Sequence, residues 1–195
     1  MSSDSYVLPV LELTLLRAFL RIASRLNVTA SVWDVTALSH FCRPAGGSAL
    51  PAAAAPPTDL PVSWRPTPGQ LQVPHHPLLD LLPWPTARER IIRVMSLPEF
   101  VRPAAAAGPL ALVEFAYDME DGAEGMRVWG EDPIDPAGWE VGQKVFERWW
   151  FIFDRDIVEQ SNRWREARGA PRLSVGGVGM YGGGGGAAEA AAALG

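Results

Sequence analysis

The chain has 195 residues, of which 48% are hydrophobic, and this is enough to bury one core, so a single domain is expected. Its formal net charge is -5, whereas a free-standing nucleic-acid-binding domain normally carries a basic excess that neutralises phosphates. One cysteine, Cys42, excludes an intrachain disulfide and a cysteine-based zinc cluster, and it favours reducing, intracellular surroundings. No apolar run approaches the roughly 20 residues of a membrane span, and the N-terminus lacks the basic start of a secretory signal.

The N-terminal part predicts two helical elements and then a linker. Leucine, isoleucine and phenylalanine recur at helical spacing from Leu8 to Leu26, which predicts an amphipathic helix. Three further leucines widen its apolar surface: Leu13, Leu16 and Leu20. A short second helix or turn is predicted around Trp33. From residue 42 to residue 70, alanines and prolines predict a linker or a loop draped over the core.

The C-terminal part predicts several helices and one extended piece. The helical patterns lie at 78–82, 85–95, 110–119 and 139–153, with a last helix capped by Asp156. The extended piece is 126–130. Three arginines fall on the predicted solvent face of the 85–95 helix: Arg88, Arg90 and Arg93. Four tryptophans are predicted to build the core of this half: Trp139, Trp149, Trp150 and Trp164.

These patterns predict a mainly α fold of about five to six helices with proline-rich connections. We expect one helical domain over residues 7–173, made of N-terminal helices (7–41), the linker or loop (42–70) and a Trp-rich core (71–173). The Gly/Ala-rich stretch 174–195 predicts a disordered tail, because it buries too little surface to offset its ordering entropy.

Two histidine-containing stretches are candidates for chemistry. His75 and His76 are adjacent between two prolines, and adjacent side chains rarely share a metal ion. We favour a turn in which both rings hydrogen-bond backbone carbonyls. His40 and Cys42 lie two residues apart, but nucleophile pairs usually come from distant segments, so an ordinary buried thiol is favoured. The sequence therefore predicts no catalytic residue, no metal and no cofactor.

Charged residues cluster in two places. Carboxylates between Asp118 and Asp135 lack the ligand pattern of an EF-hand, so we interpret them as solvated loops. A candidate basic patch follows on the last helix, and its members are Arg163, Arg165, Arg168 and Arg172. The patch is compatible with nucleic-acid contact or nuclear import, but a solvated helix face is the favoured interpretation.

Several short motifs follow one another in a distinctive order. They are Pro74-His75-His76-Pro77, Asp80-Leu81-Leu82-Pro83-Trp84-Pro85, Val128-Trp129-Gly130, Asp135-Pro136, Gly138-Trp139-Glu140-Val141, Arg148-Trp149 and Asn162-Arg163-Trp164-Arg165. From about residue 11 to about residue 173, the chain resembles a fungal domain of unknown function that commonly lies C-terminal to a basic-leucine-zipper segment in transcription-factor-like proteins. The resemblance implies a set of signature or binding residues, namely His75, His76, Asp80, Trp84, Trp129, Asp135, Trp139, Trp149, Asn162 and Trp164.

The chain also departs from that family. Leu78 and Ile134 stand where tryptophan is usual. The sequence contains no Arg/Lys-dense helix leading into heptads, so direct DNA binding is not expected of this chain. Nuclear localisation, with the cytoplasm as the alternative, is implied by the resemblance.

Three functions remain open from the sequence. The first is a non-catalytic protein-interaction domain of a fungal transcription-regulator-like protein, which predicts an exposed apolar patch or groove for a protein partner. The second is a small-molecule sensor or enzyme with polar groups converging on an aromatic-lined pocket. Its pocket residues would be His75, His76, Asp80, Trp129 and Trp139. The third is a degenerate structural paralogue, which the replacements at Leu78 and Ile134 would fit.

Overall fold

The computed structural model describes residues 11–42 and 59–175, and these ranges contain six α-helices and one two-stranded sheet. The α-helices are α1 (Leu11–Arg25), α2 (Pro68–Gln72), α3 (Pro85–Ser96), α4 (Ala111–Met119), α5 (Gln143–Trp149) and α6 (Arg155–Ala167). The strands are β1 (Arg127–Val128) and β2 (Trp139–Glu140), which pair antiparallel. Short 3₁₀ helices lie at Ser31–Trp33, Val62–Trp64, Pro77–Leu81, Glu99–Val101, Ala104–Ala106, Pro136–Gly138 and Trp150–Ile152. The predicted mainly α fold is confirmed.

Helix α1 follows the predicted amphipathic pattern. Its core-facing residues Leu15, Phe19 and Ile22 are buried, and the helix is followed by Asn27 at a positive φ of 58°. Leu16 is only half-buried and Leu20 is 37% exposed, so the wider apolar surface of α1 is not covered by the core. Residues 8–10 of the predicted helix lie outside the described residues.

From residue 59 onward, the predicted linker or loop lies packed on the core. The Trp64 side chain is buried, and its indole Nε1 donates to the Ile134 carbonyl at 2.7 Å. Helix α2 begins with a capping box in which Thr67 and Gln70 each accept from the other's backbone N–H, and Pro68 occupies the first turn. Residues 43–58 of that stretch lie outside the described residues, as does 176–195 of the predicted tail.

Helix α3 confirms the pattern predicted at 85–95, with Pro85 in its first turn. Ile91 and Ile92 are buried on its inner side. The prediction that Arg88 faces solvent is wrong, since this side chain is 1% exposed. Arg93 on the same helix is exposed, as predicted.

The predicted 139–153 helix is divided into three elements. Trp139 and Glu140 pair with β1 as a strand, α5 follows, and a 3₁₀ turn from Trp150 to Ile152 ends the run. Gly142 is the turning point, because a Cβ there would lie 2.1 Å from the Gly125 carbonyl oxygen. Gly142 is extended, with φ -83° and ψ 166°, and is the N-cap of α5, so the helix does not continue from Trp139.

Helix α6 begins earlier than predicted. Asp154, in an extended conformation, accepts a hydrogen bond from the Ile157 N–H at 3.0 Å and is the N-cap. Asp156, the predicted cap, lies in the first turn, where a carboxylate is favourable to the helix dipole. Gly169, at a φ of 75°, follows the end of the helix.

Aromatic side chains fill the centre of the C-terminal part. Trp139 and Trp149 are fully buried, and Trp84 packs edge-on against Trp139. Trp150 is 42% exposed and Trp164 is half-buried, so these two predicted core residues lie at the surface. No helix in the described ranges is both long and apolar enough to cross a membrane.

Candidate functional site

An apolar groove lies between α1 and α4, and it has a volume of about 350 Å³. The segment around Val32–Val35 and the Pro77–Leu81 turn close its remaining sides. Its lining residues are Leu16, Phe19, Leu20, Ala23, Val32, Trp33, Val35, His76, Leu78, Leu81, Leu112, Val113, Ala116, Tyr117, Met119 and Glu120. The groove is the uncovered part of the wide apolar face of α1.

The floor and the rim of the groove differ in exposure. Phe19 and Leu81 on the floor are buried, whereas Trp33, Val35 and Tyr117 at the rim are 64%, 76% and 70% exposed. Large apolar side chains this exposed and this close together are characteristic of a surface that binds another molecule. The polar side-chain groups of the lining are few: His76, Glu120, the Tyr117 hydroxyl and the Trp33 indole N–H.

The 31–42 segment, which we call the groove wall, is fastened by a buried polar cluster around Asp80. The Asp80 carboxylate accepts from Ser39 Oγ at 2.6 Å and from Gln70 Nε2 at 2.6 Å. His75 Nε2 lies 2.9 Å from Asp80 Oδ1. In addition, the Ser39 backbone N–H donates to the His75 carbonyl at 2.8 Å. Since these side chains are all buried, the cluster ties the wall firmly to the Pro77–Leu81 turn.

His75 and His76 point in opposite directions from this turn. His75 is buried, and its Nδ1 lies 2.6 Å from the Val73 carbonyl oxygen. His76 reaches the groove wall, with Nε2 2.9 Å from the Asp34 carbonyl oxygen, while its Nδ1 accepts from the Leu78 N–H. The prediction that both rings bond backbone carbonyls is confirmed, and the pairing of His75 with Asp80 is a feature that the sequence did not reveal.

Burial lowers the pKa of His75, but the hydrogen bond and charge of Asp80, together with the Val73 carbonyl, raise it more. The pKa of His75 is therefore above its ordinary value. The neighbouring thiol of Cys42 is buried, and burial together with the Asp80 charge raises its pKa, so this cysteine is a poor nucleophile. Ser39 bonds Asp80 rather than a histidine, so the cluster lacks the nucleophile–base order of a catalytic triad.

Arg88 extends the cluster behind Asp80. Its Nε donates to Gln70 Oε1 at 3.0 Å, Nη1 to the Leu82 carbonyl at 2.7 Å and Nη2 to the Ser63 carbonyl at 2.7 Å. Its guanidinium also lies over the Trp64 ring, 5.4 Å from the centroid. Burial lowers the pKa of Arg88 to about 10, against the opposing charge of Asp80, so it remains a cation at neutral pH.

A second polar cluster surrounds Glu140 on β2. Its buried carboxylate accepts from Trp129 Nε1 at 2.9 Å and pairs with Arg168 at 2.8 Å. Arg165 is also buried and pairs with Glu124 at 2.7 Å. Trp129 stacks on the Trp164 ring at 5.4 Å with an interplanar angle of 12°. These contacts join β1, β2 and α6.

The candidate basic patch does not form one surface. Arg165 and Arg168 are neutralised by the internal carboxylates of Glu124 and Glu140, and Arg172 pairs with Glu166. Only Arg163 is an exposed member with no ion pair to a described residue. The arrangement therefore offers little uncompensated positive charge for phosphates.

The remaining signature residues have structural contacts. Asp135 caps the Pro136–Gly138 turn, and Asn162 Oδ1 accepts from the Leu173 N–H at 2.7 Å. Trp149 Nε1 donates to Asp118 at 2.9 Å. Asp118 is 2% exposed, so its prediction as a solvated loop residue is wrong.

The five residues of the hypothetical small-molecule pocket do not converge. His75 and Asp80 belong to the first cluster, Trp129 belongs to the second, and Trp139 is fully buried in the core. His76 alone lines the groove. No group of three or more potential metal ligands occurs within residues 11–42 and 59–175.

The family model described as a domain of unknown function (DUF3425) matches residues 49–160, which is more than half of the chain. The chain belongs to the DUF3425 family. No curated protein and no solved structure matches the chain. The matched range of the DUF3425 domain contains the Pro77–Leu81 turn and α4, whereas α1 and the groove wall precede it. The groove is thus assembled from both parts of the chain.

The sequence reasoning overlooked most residues that build this site. Ser39, Gln70 and Arg88 carry no pattern that distinguishes them from ordinary polar residues of turns and helix faces. One signal was available, because Thr67-Pro68-Gly69-Gln70 has the form of a capping box with proline at the first helical position. Leu78 and Ile134 are the positions at which the sequence departs from the family it resembles. Leu78 lines the groove, and the Ile134 carbonyl accepts from Trp64 Nε1.

Proposed function

We propose that this DUF3425 domain is a non-catalytic protein-interaction domain whose groove binds an amphipathic α-helix of a partner protein. The observation that carries the proposal is the apolar lining of the groove between α1 and α4, with large side chains exposed along its rim. A groove between two helices accommodates the apolar stripe of a third helix, which presents anchors at positions i, i+3, i+4 and i+7.

The exposure of the rim favours a helix over a small molecule. Small-molecule pockets usually enclose most of the ligand surface and orient it with a few convergent polar groups. Here Trp33, Val35 and Tyr117 are mostly exposed, and the His76 ring is bonded to the groove wall. An open apolar trough leaves the polar face of a bound helix in water.

The charge around the groove specifies the partner further. Glu120 lines the groove, is exposed and makes no ion pair with a described residue. Asp34, between Trp33 and Val35, accepts two hydrogen bonds from Thr36 that lower its pKa, so it stays ionised. We therefore propose a partner helix whose apolar stripe is flanked by lysine or arginine.

The proposed setting is a fungal transcription-regulator-like protein in the nucleus. The resemblance of the ordered motifs to domains that accompany basic-leucine-zipper segments supports this setting. Direct DNA binding by this chain is not part of the proposal, because Arg165 and Arg168 are compensated by internal carboxylates. The absence of a catalytic role is also a proposal, and it is supported by the burial of His75 and Asp80.

The experiment uses synthetic helices and the full ¹⁵N-labelled chain. The first peptide, of roughly 18 residues, carries leucines at i, i+3, i+4 and i+7 with flanking lysines. A second peptide has the same composition in scrambled order, and a third carries glutamate instead of lysine. We expect the first peptide to shift the Trp33 indole resonance with a micromolar Kd, and the other two to bind at least about tenfold more weakly.

The chain offers a matched pair of variants. Val35 and Val62 are 76% and 75% exposed, but only Val35 lines the groove. We expect Val35→Asp to weaken the first peptide at least about tenfold while Val62→Asp binds as wild type. Equal behaviour of the two variants, or no shift with any peptide, would overturn the proposal. If the apolar dye ANS shifted Trp33 and the peptides did not, the small-molecule alternative would be preferred.

A further inference from the structure

The hydrogen bonds of His75 require a charged ring. Nδ1 faces the Val73 carbonyl oxygen at 2.6 Å, and Nε2 faces Asp80 Oδ1 at 2.9 Å. A neutral imidazole has one N–H and therefore satisfies only one of two acceptors. Asp80 also accepts from Ser39 and Gln70, which is the behaviour of a carboxylate. Both bonds of the ring form together when His75 is an imidazolium beside an ionised Asp80.

The hydrogen bonds of His76 require the opposite. Its Nδ1 accepts from the Leu78 backbone N–H at 3.1 Å, so this nitrogen carries no hydrogen. Its Nε2 lies 2.9 Å from the Asp34 carbonyl oxygen and therefore carries the hydrogen. A second proton, on Nδ1, would face the Leu78 N–H and abolish the bond that caps the Pro77–Leu81 turn.

We propose that the adjacent histidines hold opposite charge states, cationic at His75 and neutral at His76, and that the groove wall is fastened only in this combination. This inference concerns regulation of the proposed binding groove and rests on that proposed function. Both histidines are bonded to the wall. Asp80 bonds both the His75 ring and Ser39, and the His75 carbonyl accepts from the Ser39 N–H. The His76 ring bonds the Asp34 carbonyl.

The groups around His75 act in the required direction. Besides Asp80, the charged or titratable groups near His75 are Arg88, which bonds Gln70, and the thiol of Cys42. Burial lowers the pKa of His75, and Asp80 together with the Val73 carbonyl raises it more, so the cation persists to higher pH than in a free histidine. The carboxylates of Asp34 and Glu120 lie near His76, so the neutral state of His76 is assigned from its hydrogen bonds alone.

The consequence is an alkaline limit for the fastened groove wall. When the pH rises, His75 loses a proton and one of its two acceptors is left without a donor in a buried place, which costs stability there. The wall should therefore loosen as the pH rises through the raised pKa of His75.

The first measurement is made on the wild-type full chain without any peptide. Long-range ¹H–¹⁵N spectra distinguish protonated from unprotonated imidazole nitrogens, and single His→Gln variants assign the three histidines. Near neutral pH we expect both nitrogens of His75 to be protonated, and His76 to have an unprotonated Nδ1. An unprotonated nitrogen on His75, or two rings in the same state, would overturn the inference.

The second measurement follows hydrogen exchange of the wall amides, corrected for the intrinsic effect of pH on exchange. We expect protection of residues 31–38 to fall at least about threefold as the pH rises through the raised pKa of His75. His75→Gln should abolish this dependence on pH. Protection that is independent of pH in the wild type would overturn the inference, whether or not either variant folds.

The two proposals fail in different ways. If the wall titrates as expected but no helical peptide binds, the proposed function fails and the charge assignment of the histidines stands. If the lysine-flanked peptide binds with a Kd that does not change over this pH range, the regulation fails and the binding function stands. If both hold, that Kd is lowest below the pKa of His75 and rises above it.

Discussion

Replacing Arg88 with methionine tests whether the hydrogen bonds of this buried cation stabilise the polar cluster around Asp80. Arg88 donates to Gln70 Oε1 and to the carbonyls of Leu82 and Ser63, and it is 1% exposed. Methionine fills a similar volume and keeps the helix, but it donates no hydrogen bond. The substitution therefore removes the donors and leaves the buried acceptors in place.

The magnitude follows from those acceptors. An unsatisfied buried acceptor costs about 1–3 kcal/mol. Gln70 Oε1 keeps the Thr67 N–H as a donor, but the carbonyls of Ser63, Arg65 and Leu82 lose theirs, while relief of the buried charge offsets part of the loss. We expect Arg88→Met to lower the free energy of unfolding by about 3–5 kcal/mol. Arg88→Lys should lower it by about 2–3 kcal/mol, because an ammonium does not reach both carbonyls and Gln70 together. Such losses are a large share of the ~5–15 kcal/mol that stabilises a typical domain.

Urea denaturation followed by tryptophan fluorescence measures the effect. Arg93→Met is the matched control, since Arg93 lies on the same helix and pairs with Glu89 while its side chain is 53% exposed. We expect the control to change stability by less than about 1 kcal/mol. A loss of less than about 1 kcal/mol for Arg88→Met would refute the reasoning, because the buried acceptors would then have found other donors.

Three further predictions concern titration and burial. Burial lowers the pKa of His75 from 6.5 and Asp80 raises it more, so the stabilisation is complete below about pH 6.5. The free energy of unfolding should then decline as the pH rises through the raised pKa; urea titrations over this range should show the decline in wild type and its loss in His75→Gln. Glu140→Gln should cost about 3–5 kcal/mol by the same assay, because its fully buried carboxylate faces arginines, whereas exposed Glu166→Gln should cost under about 1 kcal/mol. Cys42, buried with a raised pKa, should react with a thiol reagent only at the rate of opening, and fast labelling of the native chain would contradict its placement.

Local patterns predicted the helices well where a helix packs by one face. The apolar stripe of α1 and the Pro85 start of α3 depend on spacing and on backbone chemistry that neighbouring residues set by themselves. The same holds for the 3₁₀ turn after the two histidines, whose prolines limit φ. The mainly α character of the fold could be read from the sequence for this reason.

Local patterns failed to predict the structure where contacts with a segment distant in sequence determine the conformation or burial of a residue. Apolar residues recur at helical spacing through residues 139–153. However, Trp139 and Glu140 pair with β1 as a strand, and Gly142 packs against the backbone of Gly125. In the same way, Asp118 looks like a surface acid and is buried under Arg148 and Trp149. Contacts between residues far apart in sequence override local periodicity in such cases.

The sequence by itself determined the helical class, the apolar breadth of α1 and the two-histidine turn between prolines, because each depends on residues close together in the chain. Only the tertiary structure decided that Leu16 and Leu20 of α1 remain partly uncovered beside α4 and line a groove. It likewise decided that Arg88 is buried, that His75 faces two acceptors, and that His76 lies between an acceptor and a donor. Charge and hydrogen-bond demand are set by the groups that surround a side chain after folding, and those groups come from all along the chain.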